Sequence, residues 1–120
     1  MGRLYRYDKG GQGGGTSASM EERISWLLAQ GKIMLNLYQR APTPTDKERV
    51  KGELDSLYKQ LTEIYPVLSR QRRYQELLTL QQIQLEIIRI FKRQQAEGVL
   101  LASIGATYLV LRQYTKAQHF

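Results

Sequence analysis

Apolar residues recur at three- and four-residue spacing along most of the chain beyond residue 19. Ile24, Leu27, Leu28, Gly31, Met34, Leu35 and Tyr38 form one such stripe, which predicts an amphipathic helix over about 20–40. Ser19 with Glu22 has the spacing of a capping box at its start,. Pro42 and Pro44 are expected to stop it, since proline has no N–H to continue a helix,. Thr45 with Glu48 repeats the capping pattern ahead of Val50, Leu54, Leu57, Leu61 and Ile64, predicting a second helix over 46–65 with Pro66 as its break,. Residues 69–96 contain neither Gly nor Pro and carry Leu77, Leu78, Leu80, Ile83, Ile87, Ile88 and Phe91. They predict one continuous third helix, about 40 Å long at 1.5 Å per residue. Gly98 reads as a break before a last helix over 99–113. No stretch alternates as a strand does, so the fold class is all-α: a four-helix, bundle-like domain over 19–120 behind an arm at 1–18.

The helices differ in how much surface they must bury. The second has one narrow stripe, and its residues 46–68 hold four bases against five acids, so it belongs on the outside and is not an anion site. The first has a further stripe on its opposite side, Trp26, Ile33 and Leu37. In the third, the polar set Gln71, Gln75, Gln82, Glu86, Arg89 and Arg93 covers only about 80° of the wheel,. The last has Val99, Leu100, Leu101, Ile104, Tyr108, Leu109, Val110 and Leu111 spread all round. One small domain cannot hide all of this, and large exposed apolar patches mark association sites. The subunit interface is therefore expected at Trp26, Ile33, Leu37, Val99, Leu100, Ile104, Tyr108 and Leu111, buried by copies of this chain or by a related second chain.

Charge adds a second partner. The 120 residues carry 18 Lys plus Arg against 11 Asp plus Glu, a net +7, which points to a polyanion, most commonly nucleic acid. The arm places Arg3, Arg6 and Lys9 among Tyr5 and Tyr7, with five of the ten glycines following at 10–15. Cations interleaved with rings suit phosphates and sugar or base edges. Two further clusters, Arg70, Arg72, Arg73 and Arg89, Lys92, Arg93, bracket the third predicted helix. No zinc-finger, ribonucleoprotein or helix-turn-helix pattern is present, so binding is expected to ignore base sequence.

Catalytic and cofactor chemistry find no footing. There is no cysteine, and the only histidine, His119, is penultimate. The glycine run lacks the lysine and the strand-to-helix setting of a phosphate loop. The acids Glu48, Glu53 and Asp55 alternate with bases as in ordinary salt-bridge patterning,. No enzyme, cofactor or metal is expected. No run of about 18 apolar residues is long enough to span a membrane, and no apolar signal core stands at the N-terminus, so peripheral contact with an envelope is the one membrane role left open.

A basic, aromatic and glycine-rich arm (Arg3 to Gly15), a long helix with Arg clusters and an apolar end from Val99 to Leu111 together resemble the major capsid proteins of filamentous and rod-shaped archaeal DNA viruses. The likeness is architectural, runs loosely over the whole chain and involves no short motif. It implies paired subunits that wrap double-stranded DNA into a helical nucleoprotein within a virion. The other readings are a cytoplasmic helical nucleic-acid-binding subunit, such as a small subunit of an RNA-guided effector or a nucleoid protein, and a basic helical adaptor.

Overall fold

The computed structural model describes residues 17–119, with side chains described over 19–113. Four helices follow one another: α1 (Ser17–Arg40), α2 (Pro44–Arg70), α3 (Tyr74–Phe91) and α4 (Gln94–His119). No strand occurs among the described residues.

Cross-helix contacts give the topology. Lys47 Nζ donates to the Tyr38 carbonyl and Arg23 pairs with Glu63, so α1 and α2 are antiparallel. Gln84 bonds Thr62 and Gln81 bonds Tyr65, which makes α3 antiparallel to α2. Gln81 also meets Ser103, and Arg89 meets Glu97, which turns α4 antiparallel to α3. In that register α4 lies along α3 as far as residue 110 or so and then carries about two turns past its start. The radius of gyration is 16.1 Å, against about 13 Å for a compact domain of about 100 residues.

The main core comes from three helices. Ile24 and Leu27 of α1 meet Val50, Leu54, Leu57, Leu61, Ile64 and Leu68 of α2 and Leu77, Leu80, Ile83 and Ile87 of α3. The α2 stripe is the one its spacing predicts, extended by one turn to Leu68. Gly31 lets α1 approach α3 closely, since a Cβ there would stand 2.7 Å from Ile83 Cγ2. The fourth helix has its own smaller cluster, in which Leu100 and Ile104 pack on Ile88 with Tyr58, Leu78, Leu85 and Ala96 around them. Beside it runs a polar seam: Gln81 Nε2 donates to the Tyr65 hydroxyl at 3.2 Å and to the Ser103 hydroxyl at 3.1 Å. Gln81 Oε1 is buried without a partner, which costs on the order of 1–3 kcal/mol.

Several expected boundaries move. Ser19 lies inside α1, which already includes Ser17. The cap of α2 is Thr43, not Thr45: its hydroxyl accepts from the Asp46 N–H at 3.1 Å, and Pro44 opens the helix instead of ending the previous one,. Pro66 does not break α2. Thr62, whose carbonyl loses its donor, and Pro66 itself are both exposed, and Leu68 beyond them is fully buried, so packing draws the helix on to Arg70.

The long third helix is likewise divided, at 71–73 and again at 92–93, while Gly98 sits inside α4. Both divisions have the same build. Arg73 N–H bonds the Leu68 carbonyl and Arg72 N–H bonds Ser69; Arg93 bonds Ile88 and Lys92 bonds Arg89. These are Schellman closures, whose central residue is left-handed and usually glycine. Here the left-handed residues are Arg72 (φ 58°) and Lys92 (φ 57°). Nothing in the composition of either stretch announces a turn.

Candidate nucleic-acid and assembly surfaces

The up-down-up-down order sorts the basic residues into two ends of the molecule, separated by α3, whose 18 residues span about 27 Å. One end gathers the start of α1, the 71–73 turn and the far part of α4. Arg70 and Arg72 are exposed there and make no ion pair among the described residues. The antiparallel register brings exposed Arg112 level with them. Residues 1–16 join the fold at this same end, through Ser17. Arg3, Tyr5, Arg6, Tyr7 and Lys9 themselves lie outside the described residues. The opposite end holds exposed Lys92 and Arg93, with Arg40 at the α1–α2 turn. Arg93 and Lys51 flank the Phe91 ring, 5.0 and 5.1 Å from its centre.

Two of the predicted phosphate ligands are already engaged. Arg73 is clamped between carboxylates, with Nη2 at 2.7 Å from Glu76 Oε2 and 2.8 Å from Glu21 Oε1, and Nη1 also on Glu21. The hydrogen bonds it donates to Glu76 first and Glu21 second raise its pKa, so it stays charged and committed to them. Its work is to tie the second turn of α1 to the start of α3. Arg89 pairs with Glu97 at 2.9 Å across the α3–α4 turn. The two clusters therefore shrink to Arg70 with Arg72 and to Lys92 with Arg93. Elsewhere acids and bases cancel: Arg49 pairs with Asp46, Lys51 with Glu48 and Lys59 with Asp55. Arg40 and Arg112 were not among the predicted ligands. Each is a single base in its own sequence neighbourhood, and only the folded register sets it beside the others.

The apolar surplus sorts in the same way. Leu100 and Ile104 are buried within the chain, and Trp26 is half-buried against the main core. In the folded subunit Leu100 and Ile104 are thus closed to a partner, and Trp26 is partly covered. What remains open is the outer face of α4, with Val99 73 %, Leu101 44 %, Tyr108 52 % and Leu109 58 % exposed, and the outer face of α1, with Ile33 49 % and Leu37 47 % exposed. Leu111 is half-buried. Gly98, Ala102, Gly105 and Ala106 complete the α4 face without adding charge. Leu37 also borders an open groove of about 300 Å³ against Pro42 and Val50, rimmed by Arg40, Arg49, Asp46 and Glu53. The two apolar faces lie on different sides, since α1 covers the main core while α4 rests on Tyr58, Leu78, Leu85 and Ile88. No group of three or more metal-ligating side chains occurs among the described residues, and no helix there is long and apolar enough to cross a membrane. No family model, curated protein or solved structure matches this chain.

Proposed function

We propose that this chain is a structural subunit that assembles with copies or relatives of itself and coats double-stranded DNA without reading its sequence, as the capsid subunit of a helical virion does. The observation that carries the reading is the pair of exposed apolar faces on different sides of one small fold, Ile33 and Leu37 on α1 and Val99 to Leu109 on α4. A subunit that is adhesive on one side pairs and stops, whereas one adhesive on two sides propagates. Charge supplies the second half. Asp46, Glu48 and Asp55 of α2 are paired with bases of their own helix and Glu63 with Arg23, and Arg70 and Arg72 are left open at the end where the basic residues 1–16 join the fold. Duplex DNA carries about one negative charge per 1.7 Å, so the roughly 27 Å spanned by α3 faces about 16 phosphates. Two subunits flanking that stretch bring twice +7, close to neutrality.

The test is anisotropy titration of two duplexes of unrelated sequence at several salt concentrations. Affinity should be alike for both and fall steeply with salt. Removing residues 1–15 should weaken binding and flatten the salt slope, and the double variant Arg70→Ala/Arg72→Ala should flatten it further. Equal affinity and slope in all three proteins would end the nucleic-acid half of the proposal.

A further inference from the structure

The three corners of the fold are not built alike. The α1–α2 corner has a purpose-made cap in Thr43, a hydroxyl on the Asp46 N–H and Pro44 in the first turn. The α3–α4 corner has none of this. Lys92 is left-handed at φ 57°, a conformation that side chains with a Cβ disfavour. Arg93 stands at the start of α4, its carbonyl accepting from the Glu97 N–H, where its side chain offers no oxygen to the free N–H groups. The surrounding residues, Arg89 to Glu97, are all compatible with helix and include neither Gly nor Pro,. Local preference therefore favours an uninterrupted helix through 92–93, and only the docking of α4 bends the chain there.

That docking lies outside the main core, in a separate and smaller cluster. The α2–α3 corner is equally uncapped, but α3 is bound through four buried residues of the main core and through the clamp of Arg73 on Glu21. By contrast, α4 gives no residue to that core: it is held by Leu100 and Ile104 on Ile88 with Tyr58, Leu78 and Leu85 around them, by the exposed Arg89–Glu97 pair, and by the Tyr65, Gln81 and Ser103 hydroxyl and amide contacts, in which Gln81 Oε1 is left unpaired. We infer that α4 is an exchangeable element: Lys92 and Arg93 pass into helix, and α4 of one copy docks in the α2–α3 seat of a second copy. The occupant is another molecule of this chain because the seat already fits α4 and the exchanged contacts are the same ones made in trans. A seat about 27 Å long and about 10 Å wide buries roughly 540 Å² over both surfaces. A reciprocal pair thus buries about 1,100 Å², just above the roughly 1,000 Å² a biological interface must clear. The closed subunit buries the same area in cis, so the drive to exchange comes from the corner, where Lys92 leaves the left-handed region and the helix is restored. Opened, α3 and α4 form one helix over 74–119, about 69 Å long.

This inference rests on the self-assembly reading, and its test separates the two. Full-length wild type, Lys92→Gly, Leu109→Asp and a variant lacking Lys92 and Arg93 are compared by sedimentation over a range of concentrations, with helix content followed by circular dichroism. Glycine favours the closed corner by relieving the left-handed residue and disfavours the open one by weakening the helix, each about fivefold. Lys92→Gly should therefore dimerise roughly 25-fold more weakly per chain, with helix content kept. Deleting the corner prevents α4 from folding back and should give a dimer at every concentration. Should that variant unfold, Lys92→Gly alone decides. Wild-type dimerisation by Lys92→Gly, or a helical monomer from the deletion, overturns the exchange. If Leu109→Asp loses association while Lys92→Gly keeps it, assembly stands and exchange falls; a wild type that is monomeric throughout removes both.

Discussion

Arg72→Gly separates what the fold needs from what a ligand needs. Arg72 is exposed, has no ion-pair partner among the described residues and occupies the left-handed position of the α2–α3 corner. A side chain bearing a Cβ costs roughly 1–2 kcal/mol there. Glycine removes that cost but widens the unfolded ensemble, which takes back about 0.4–1 kcal/mol. The net expectation is a gain of ~0.5–1 kcal/mol, a rise in Tm of about 2–8 °C for a domain of this size. Thermal unfolding followed at 222 nm measures it. In the same protein, loss of one phosphate contact should lower the magnitude of the salt slope for duplex DNA by about 0.9 per subunit. A variant that is more stable and binds less is what a residue kept for a polyanion produces. A fall in Tm would mean that the Arg72 side chain holds the corner itself, and a stabilised variant with an unchanged slope would mean that no phosphate sits there.

Gly31 and Gly52 should respond to alanine with opposite signs in denaturant unfolding. Gly52 meets nothing within 4 Å, so Gly52→Ala gains about 1 kcal/mol of helix propensity; at Gly31 the new methyl overlaps Ile83 Cγ2 and Cδ1 at 2.7 and 2.8 Å, and overpacking of about 1–3 kcal/mol cancels or reverses that gain. Thr43→Ala should cost ~1 kcal/mol in the same assay through loss of the Asp46 cap,. Ile33→Asp/Leu37→Asp should abolish assembly in sedimentation while leaving helix content intact, because both side chains are about half exposed in the subunit.

The periodicity of apolar residues carried the existence of all four helices and the buried stripe of α2 from Val50 to Ile64, because a one-sided helix shows its face at fixed spacing whatever lies opposite. It failed where tertiary contacts outweighed local preference. The corners at Arg72 and Lys92 lie in runs of good helix formers, and Pro66 remains helical because Leu68 is buried beyond it. Gln81 and Gln84, both buried, read as surface residues in a sequence, since their partners Tyr65, Ser103 and Thr62 come from other helices. The same blindness counted Arg73 as free: its partner Glu21 is 52 residues away. Leu100 and Ile104 could not be told from Val99 and Leu109 without knowing which side of α4 meets Ile88.

Electron microscopy of the purified full-length chain, alone and mixed with duplex DNA at low salt, tests the central claim most directly. Assembly through two apolar faces around a polyanion predicts filaments or rods of uniform width on DNA of any sequence, absent from the Ile33→Asp/Leu37→Asp variant and dispersed by high salt. Single particles of one subunit in both samples, at every concentration and salt, would contradict it.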